Sequence, residues 1–179
     1  MTYCPKPIDA SYPQIEMIAE HLIRLLDENG LNRLDQQSTQ DYLAETVNRL
    51  NGNIIVSHAP SPLEEDGGSL TIAPDLSFLI RLSPTTSMYR DNFTIAHELG
   101  HYMLHYPHQK SLNEPMHFAR YGSNKMEWQA NRFAAAFLMP KSEFLKMRND
   151  LNDDTLMLSM HFEVSTQAID VRKQYIQAE

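Results

Sequence analysis

Residues 93–105 read FTIAHELGHYMLH, and within that run His97-Glu98-Leu99-Gly100-His101 forms the pattern H-E-x-x-H. An apolar run and a capping residue, Asp91 or Asn92, precede the pattern and Pro107 follows it. The spacing therefore predicts one long helix over about 91–105. On a helix, histidines at i and i+4 share a face, about 6 Å apart along the axis, so both imidazoles can reach one ion at roughly 2.0–2.1 Å. Glu98, beside the first histidine, is placed to take the proton of a water whose pKa a metal lowers to about 7. Gly100 costs roughly 1 kcal/mol against alanine inside a helix, which points to another backbone passing close by. Five of the eight histidines fall between 97 and 117, so this stretch is where chemistry is expected.

A catalytic metal site of this kind needs a third protein ligand and one open position. His105 continues the same face, but along a straight helix it lies about 12 Å from His97. It reads as a supporting or packing residue. The other candidate is Glu127, in the run EWQAN at 127–131. A helix is predicted there over about 124–139, closed by Pro140. A carboxylate from a second, antiparallel helix would complete the site, and a solvated helix charge is the competing reading of a lone Glu. Asn131 falls one turn on, on the Glu127 face. Its side-chain carbonyl would accept the Nδ1–H of a ligand histidine and fix the ring. Ala130 and Ala134 would let the two helices approach closely.

Outside these two helices the pattern changes. Pro5, Pro7 and Pro13 make residues 1–13 an extended arm. Ile15, Ile18, Ala19, Leu22, Leu25 and Leu26 follow at helical spacing, with Gly30 as a stop, and a second helix is predicted over 37–50. Residues 53–57, 69–73 and 78–82 are short, apolar or β-branched, and separated by Pro, Gly and Asp, which predicts a small three-stranded antiparallel sheet. Shorter helices are expected near 141–148, 154–161 and 165–177, the last capped by Ser165. The fold class is thus α+β, mostly helical, with residues 1–140 as the main domain and 141–179 as a C-terminal helical lobe of helix-turn-helix-like pattern packed on it.

The chain has 179 residues and a formal charge of −8. That acidity argues against gripping nucleic-acid backbone, and no direct nucleic-acid binding is expected. In the last segment Arg172 and Lys173 are balanced by Asp170 and Glu179, whereas a DNA recognition helix should be basic. The segment reads as a packing or partner-docking lobe. No run approaches the ~20 apolar residues of a membrane span, and no signal peptide is seen. One cysteine, Cys4, precludes an intrachain disulfide and favours a cytoplasmic setting. Cys4 is read as a free thiol and the run 64–66 as a solvated loop tip.

Taken together, FTIAHELGHYMLH and EWQANRFAAAFLMP resemble the ImmA/IrrE family of metallo-endopeptidases. The match is strongest over 93–140. Phe162-Glu163-Val164-Ser165 and Arg172 also look like family features. The resemblance implies a zincin-like domain holding one Zn2+ per chain, with His97, His101 and Glu127 as ligands and Glu98 as the catalytic acid/base. It also implies action on a partner protein, a helix-turn-helix transcriptional repressor. The activity expected is zinc-dependent peptide-bond hydrolysis. The alternative is a zinc-stabilised regulatory or toxin-like protein that binds such a partner without cutting it. An edge strand, expected at 78–82, would hold the substrate by strand addition. Tyr89, Tyr106, His117 and Tyr121 are candidate oxyanion donors among which no motif selects.

Overall fold

The H-E-x-x-H run lies in the second half of a long helix, α3 (Met88–Leu104). The computed structural model describes residues 7–57, 68–106, 116–118 and 124–177; Cys4, the acidic run 64–66, His108 and Tyr121 lie outside these. Helix α3 begins a turn earlier than the sequence predicts. The cap is Ser87, whose side chain accepts the Arg90 N–H, and not Asp91 or Asn92. Asn92 is buried instead, and its amide donates to the Glu163 carbonyl at 2.9 Å.

Helix α3 packs against α4 (Asn124–Leu138), and the contact is as close as the glycine suggests. A Cβ added at Gly100 would stand 3.0 Å from both the Cα and the carbonyl oxygen of Ala130, and 3.3 Å from Phe133 Cβ. The backbone of α4 therefore fills the space that any larger residue at 100 would need. Ala130, Ala134, Ala135 and Ala136 are all buried.

Helix α1 (Tyr12–Glu28) also packs on α4. Ser11 and Gln14 form a capping box, with the Ser11 N–H donating to Gln14 Oε1 at 2.8 Å. Tyr12 and Pro13, assigned by sequence to the arm, already belong to this helix. Its apolar stripe, Ile15, Ala19, Leu22 and Leu26, is buried. A short 3-10 turn (Arg33–Asp35) leads to α2 (Thr39–Arg49), whose Tyr42 ring stacks on Phe137 of α4 at 5.7 Å.

The sheet has four strands, not three, and it is mixed, not antiparallel. Strands β1 (Gly52–Val56), β2 (Ser69–Ile72), β3 (Phe78–Leu82) and β4 (Met116–Phe118) lie in the order β1-β3-β2-β4. Successive strands β1, β2 and β3 do reverse direction, as the turn-rich connections require. But β3 returns between its two predecessors, so it pairs parallel with β1 (Gly52 opposite Phe78) and antiparallel with β2 (Ile72 opposite Phe78). Strand β4 adds antiparallel to the far side of β2. Residues 78–82 are therefore interior, with both backbone edges taken. The expected edge role falls instead to β1 or β4. Phe78, Ile80 and Leu82 alternate with less buried neighbours, and β2 and β3 pack against α3.

The chain continues through α5 (Lys141–Asp150), α6 (Thr155–Phe162) and α7 (Thr166–Gln177). Ser165 Oγ accepts the Ala168 N–H, the cap expected there. Phe144, Phe162, Val164 and Ile169 join the same buried cluster as α1–α4. Arg172, counted in the sequence among the charges of the last helix, is fully buried. It ion-pairs with Glu16 of α1 through both guanidinium NH2 groups and donates through Nε to the Met139 carbonyl at 3.0 Å. Lys173 pairs with Asp153. A second buried cation, Arg132 of α4, lies between the rings of Tyr12 and Tyr175, 3.5 and 3.6 Å from their centroids. These two arginines tie α1, α4 and α7 together.

Gly100→Ala should destabilise the protein: overpacking costs roughly 1–3 kcal/mol, more than the gain of about 1 kcal/mol in helix propensity. A thermal midpoint unchanged or raised in this variant would show that α3 and α4 are not in tight contact. Arg172→Met and Glu16→Met singly should each cost about 3–5 kcal/mol in urea unfolding, because each strands a buried charge. The double variant should cost less than either. Additive losses would mean that the pair is not coupled.

Candidate metal centre

The face of α3 turned to α4 carries His97 and His101, and α4 meets it with Glu127. The ligand atoms of these three side chains lie within 4.8 Å of one another, the group of His, Cys, Asp or Glu suited to a metal among the described residues. The two Nε2 atoms are 3.0 Å apart, and each is 3.3 Å from one oxygen of the Glu127 carboxylate. Ligands placed tetrahedrally at 2.0–2.1 Å from an ion are separated by about 3.3 Å. The two rings thus stand near that spacing from each other and from the carboxylate, His97 against Oε2 and His101 against Oε1. Two neutral imidazoles and a carboxylate suit a borderline divalent ion.

The rings are held from behind. His97 Nδ1 lies 2.8 Å from Asn131 Oδ1, the contact expected from the one-turn spacing of Glu127 and Asn131. His101 Nδ1 lies 3.0 Å from Nδ1 of His105, which is fully buried, and His105 Nε2 is 3.1 Å from Gln129 Oε1. His105 is thus outside the cluster of convergent donors and behind it. Gln129 was not legible from the motif. It stands two residues after Glu127, about 200° around the helix, well off the face that Asn131 shares with Glu127.

The electrostatics follow from crowding. Burial lowers the pKa of His97, but the hydrogen bond to Glu127 and the Glu98 and Glu127 charges outweigh it and raise it above the ordinary value. At His101 burial wins with help from the His97 charge, and the pKa falls. Burial, then the His101 charge, pulls His105 down to about 4. Burial alone would raise the Glu127 carboxyl, but its hydrogen bonds to His101 and His97 hold it well below the usual carboxylate range. The low carboxyl pKa makes Glu127 an ionised partner for the two imidazoles.

Glu98 is buried beside this group, at 4% exposure, and is not one of its three convergent donors. Its Oε1 would be 3.5 Å from a Cβ added at Gly68, just before β2, and that same Cβ would collide with the Thr94 side chain at 2.3 Å. The missing side chain at 68 makes room for Thr94 and the Arg81 carbonyl, and the Glu98 carboxylate lies at ordinary contact distance beyond them. Of the oxyanion candidates, Tyr106 stacks on Tyr102 at 5.6 Å. His117 lies on β4, opposite Thr71. Tyr89 sits in the first turn of α3, and Tyr121 is outside the described residues.

The family model Peptidase_M78, described as the IrrE N-terminal-like domain, matches residues 55–173. No curated protein sequence matches the chain. The solved structure of a Mycobacterium tuberculosis transcriptional regulator is similar in fold, with a TM-score of 0.58 at 19% identity, covering 88% of this chain and 47% of that one. The present chain thus spans about half the length of that protein. No helix among the described residues is long and apolar enough to cross a membrane.

Proposed function

From the premise that this chain belongs to the Peptidase_M78 family, we propose that it is a zinc-dependent endopeptidase that cuts a partner protein, a helix-turn-helix transcriptional repressor. The observation that carries the reading is the convergence of His97 Nε2, His101 Nε2 and the Glu127 carboxylate at 3.0–3.3 Å separations. The donor set fits the ion. His97, His101 and Glu127 would hold it, and a bound zinc would supply Lewis-acid polarisation of a scissile carbonyl and acidification of a water.

The chain's own residues do the rest. Asn131 accepts from His97 Nδ1–H and so keeps the lone pair of Nε2 turned to the cluster. Glu98 takes a proton from the attacking water and delivers it to the leaving amine nitrogen. An extended substrate that adds to the sheet does so at the outer edge of β1 or β4, the end strands among the described residues. Residues 1–140 carry the chemistry on this reading, and 141–179 form a docking lobe. The repressor as substrate is supported by the resemblance of the paired motifs. The fold shared with a mycobacterial transcriptional regulator is consistent with the same biological setting. The enzyme works in the cytoplasm.

Elemental analysis after equal dialysis should find close to one zinc per wild-type chain and a marked loss in Glu127→Ala. Equal zinc in both would rule out Glu127 as the third ligand. Glu98→Gln should keep the zinc and the thermal midpoint while cleavage of a helix-turn-helix repressor, followed by mass spectrometry of the products, falls about 10²–10⁴-fold. Wild type that is fully loaded and binds the repressor without cutting it would establish the non-cleaving alternative.

A further inference from the structure

Behind His101 a line of hydrogen bonds runs away from the cluster and ends on the backbone ahead of α1. Gln129 makes two bonds to one residue there. Its Nε2 donates to the Ile8 carbonyl at 2.8 Å, and its Oε1 accepts the Ile8 N–H at 3.3 Å. A backbone N–H can only donate and a backbone carbonyl can only accept, so the amide of Gln129 has one allowed orientation. Its Oε1 faces His105 Nε2 at 3.1 Å, and that nitrogen must therefore carry the proton.

His105 is fully buried and one ring away from the cluster. A cation there would be desolvated and would oppose a bound metal ion, so the ring is neutral and its Nδ1 is a bare acceptor. The partner at 3.0 Å, His101 Nδ1, must then be the donor. With its proton held at Nδ1, a neutral His101 turns Nε2 to the cluster, where an ion would take the place of any proton shared with Glu127. A ligand histidine usually donates to a carboxylate, carbonyl or water. An imidazole acceptor works only if its own tautomer is fixed, and Gln129 fixes it.

We propose that His105 and Gln129 are positioning residues that select the metal-binding tautomer of His101, and that the backbone of Ile8 sets the direction of the whole line. The inference rests on the metal reading above. It couples the segment ahead of α1 to ion retention at a site distant in sequence, the Ile8–Gln129 bond alone joining residues 121 positions apart.

The test is zinc affinity of the full chain, by competition with a chromogenic chelator, in two variants chosen to separate hydrogen bonding from packing. His105→Asn puts a carbonyl oxygen close to the position of Nδ1 and keeps an acceptor for His101, so affinity should stay within about threefold of wild type. His105→Phe keeps the ring volume and removes the acceptor, so affinity should fall about 10–100-fold. A packing role predicts the reverse order, and that order, or equal affinities in all three proteins, overturns the proposal. Long-range ¹H–¹⁵N spectra of the metal-free wild type read the tautomers directly. Nδ1–H at His101 with Nε2–H at His105 is expected, and the opposite pair overturns the inference. Little zinc in the wild type would defeat the metal reading separately, with the spectra still deciding the tautomers.

Discussion

The contact of Gly100 with Ala130 sets the distance at which everything else in this protein operates. Two helices whose backbones meet with no side chain between them can share one ion through side chains of ordinary length. His97 and His101 reach across from α3 and Glu127 from α4, and the spacing of 3.0–3.3 Å between their donors depends on that approach. A methyl group at position 100 would press on the Ala130 Cα and carbonyl at 3.0 Å, and backbone atoms cannot turn aside as a side chain can. The alanines on α4 extend the close fit, and the aromatic rings Phe133 and Phe137 fill the space beyond it, stacked at 5.8 Å. Rigid helices suit this purpose better than loops, because a metal site tolerates little error in ligand position.

The helical part of this arrangement was legible in the sequence because its signals are local. The i, i+4 histidines, the unfavourable glycine, the alanine run and Pro140 each concern residues within a turn or two of one another. Asn131 could be placed for the same reason. The sheet was legible strand by strand and not as a whole. Three of the strands stand where alternation and turn residues put them, but strand order is a long-range property, and nothing in 78–82 says that it returns between β1 and β2. The three-residue strand at 116–118 is too short to carry a periodic signal.

The buried polar residues were the least legible. Arg172 sits on the last helix among residues of surface composition, and arginine is seldom fully buried without a partner. Its partner, Glu16, is 156 positions away. Arg132 likewise depends on two tyrosines from opposite ends of the chain. No local pattern marks Gln129 between Glu127 and Asn131, since its contacts come from His105 on one side and Ile8 on the other. Pattern reading finds residues that repeat along an element. It does not find residues whose meaning comes from what distant segments bring to them.

The ion pair between α1 and α7 also imposes a timetable. Ribosomes add roughly 5–20 residues per second, so the 156 positions between Glu16 and Arg172 correspond to about 8–30 s of synthesis. Throughout that interval the segment that forms α1, carrying Ile15, Ala19, Leu22, Leu26 and an acid destined for the interior, is without its counter-charge. Its apolar side can settle on α4 once that helix has emerged, yet the carboxylate must stay hydrated until Arg172 is made. The final helix thus acts as a latch. The interior closes over Glu16 only when α7 arrives, and a nascent chain halted before Arg172 keeps that corner of its core open to water.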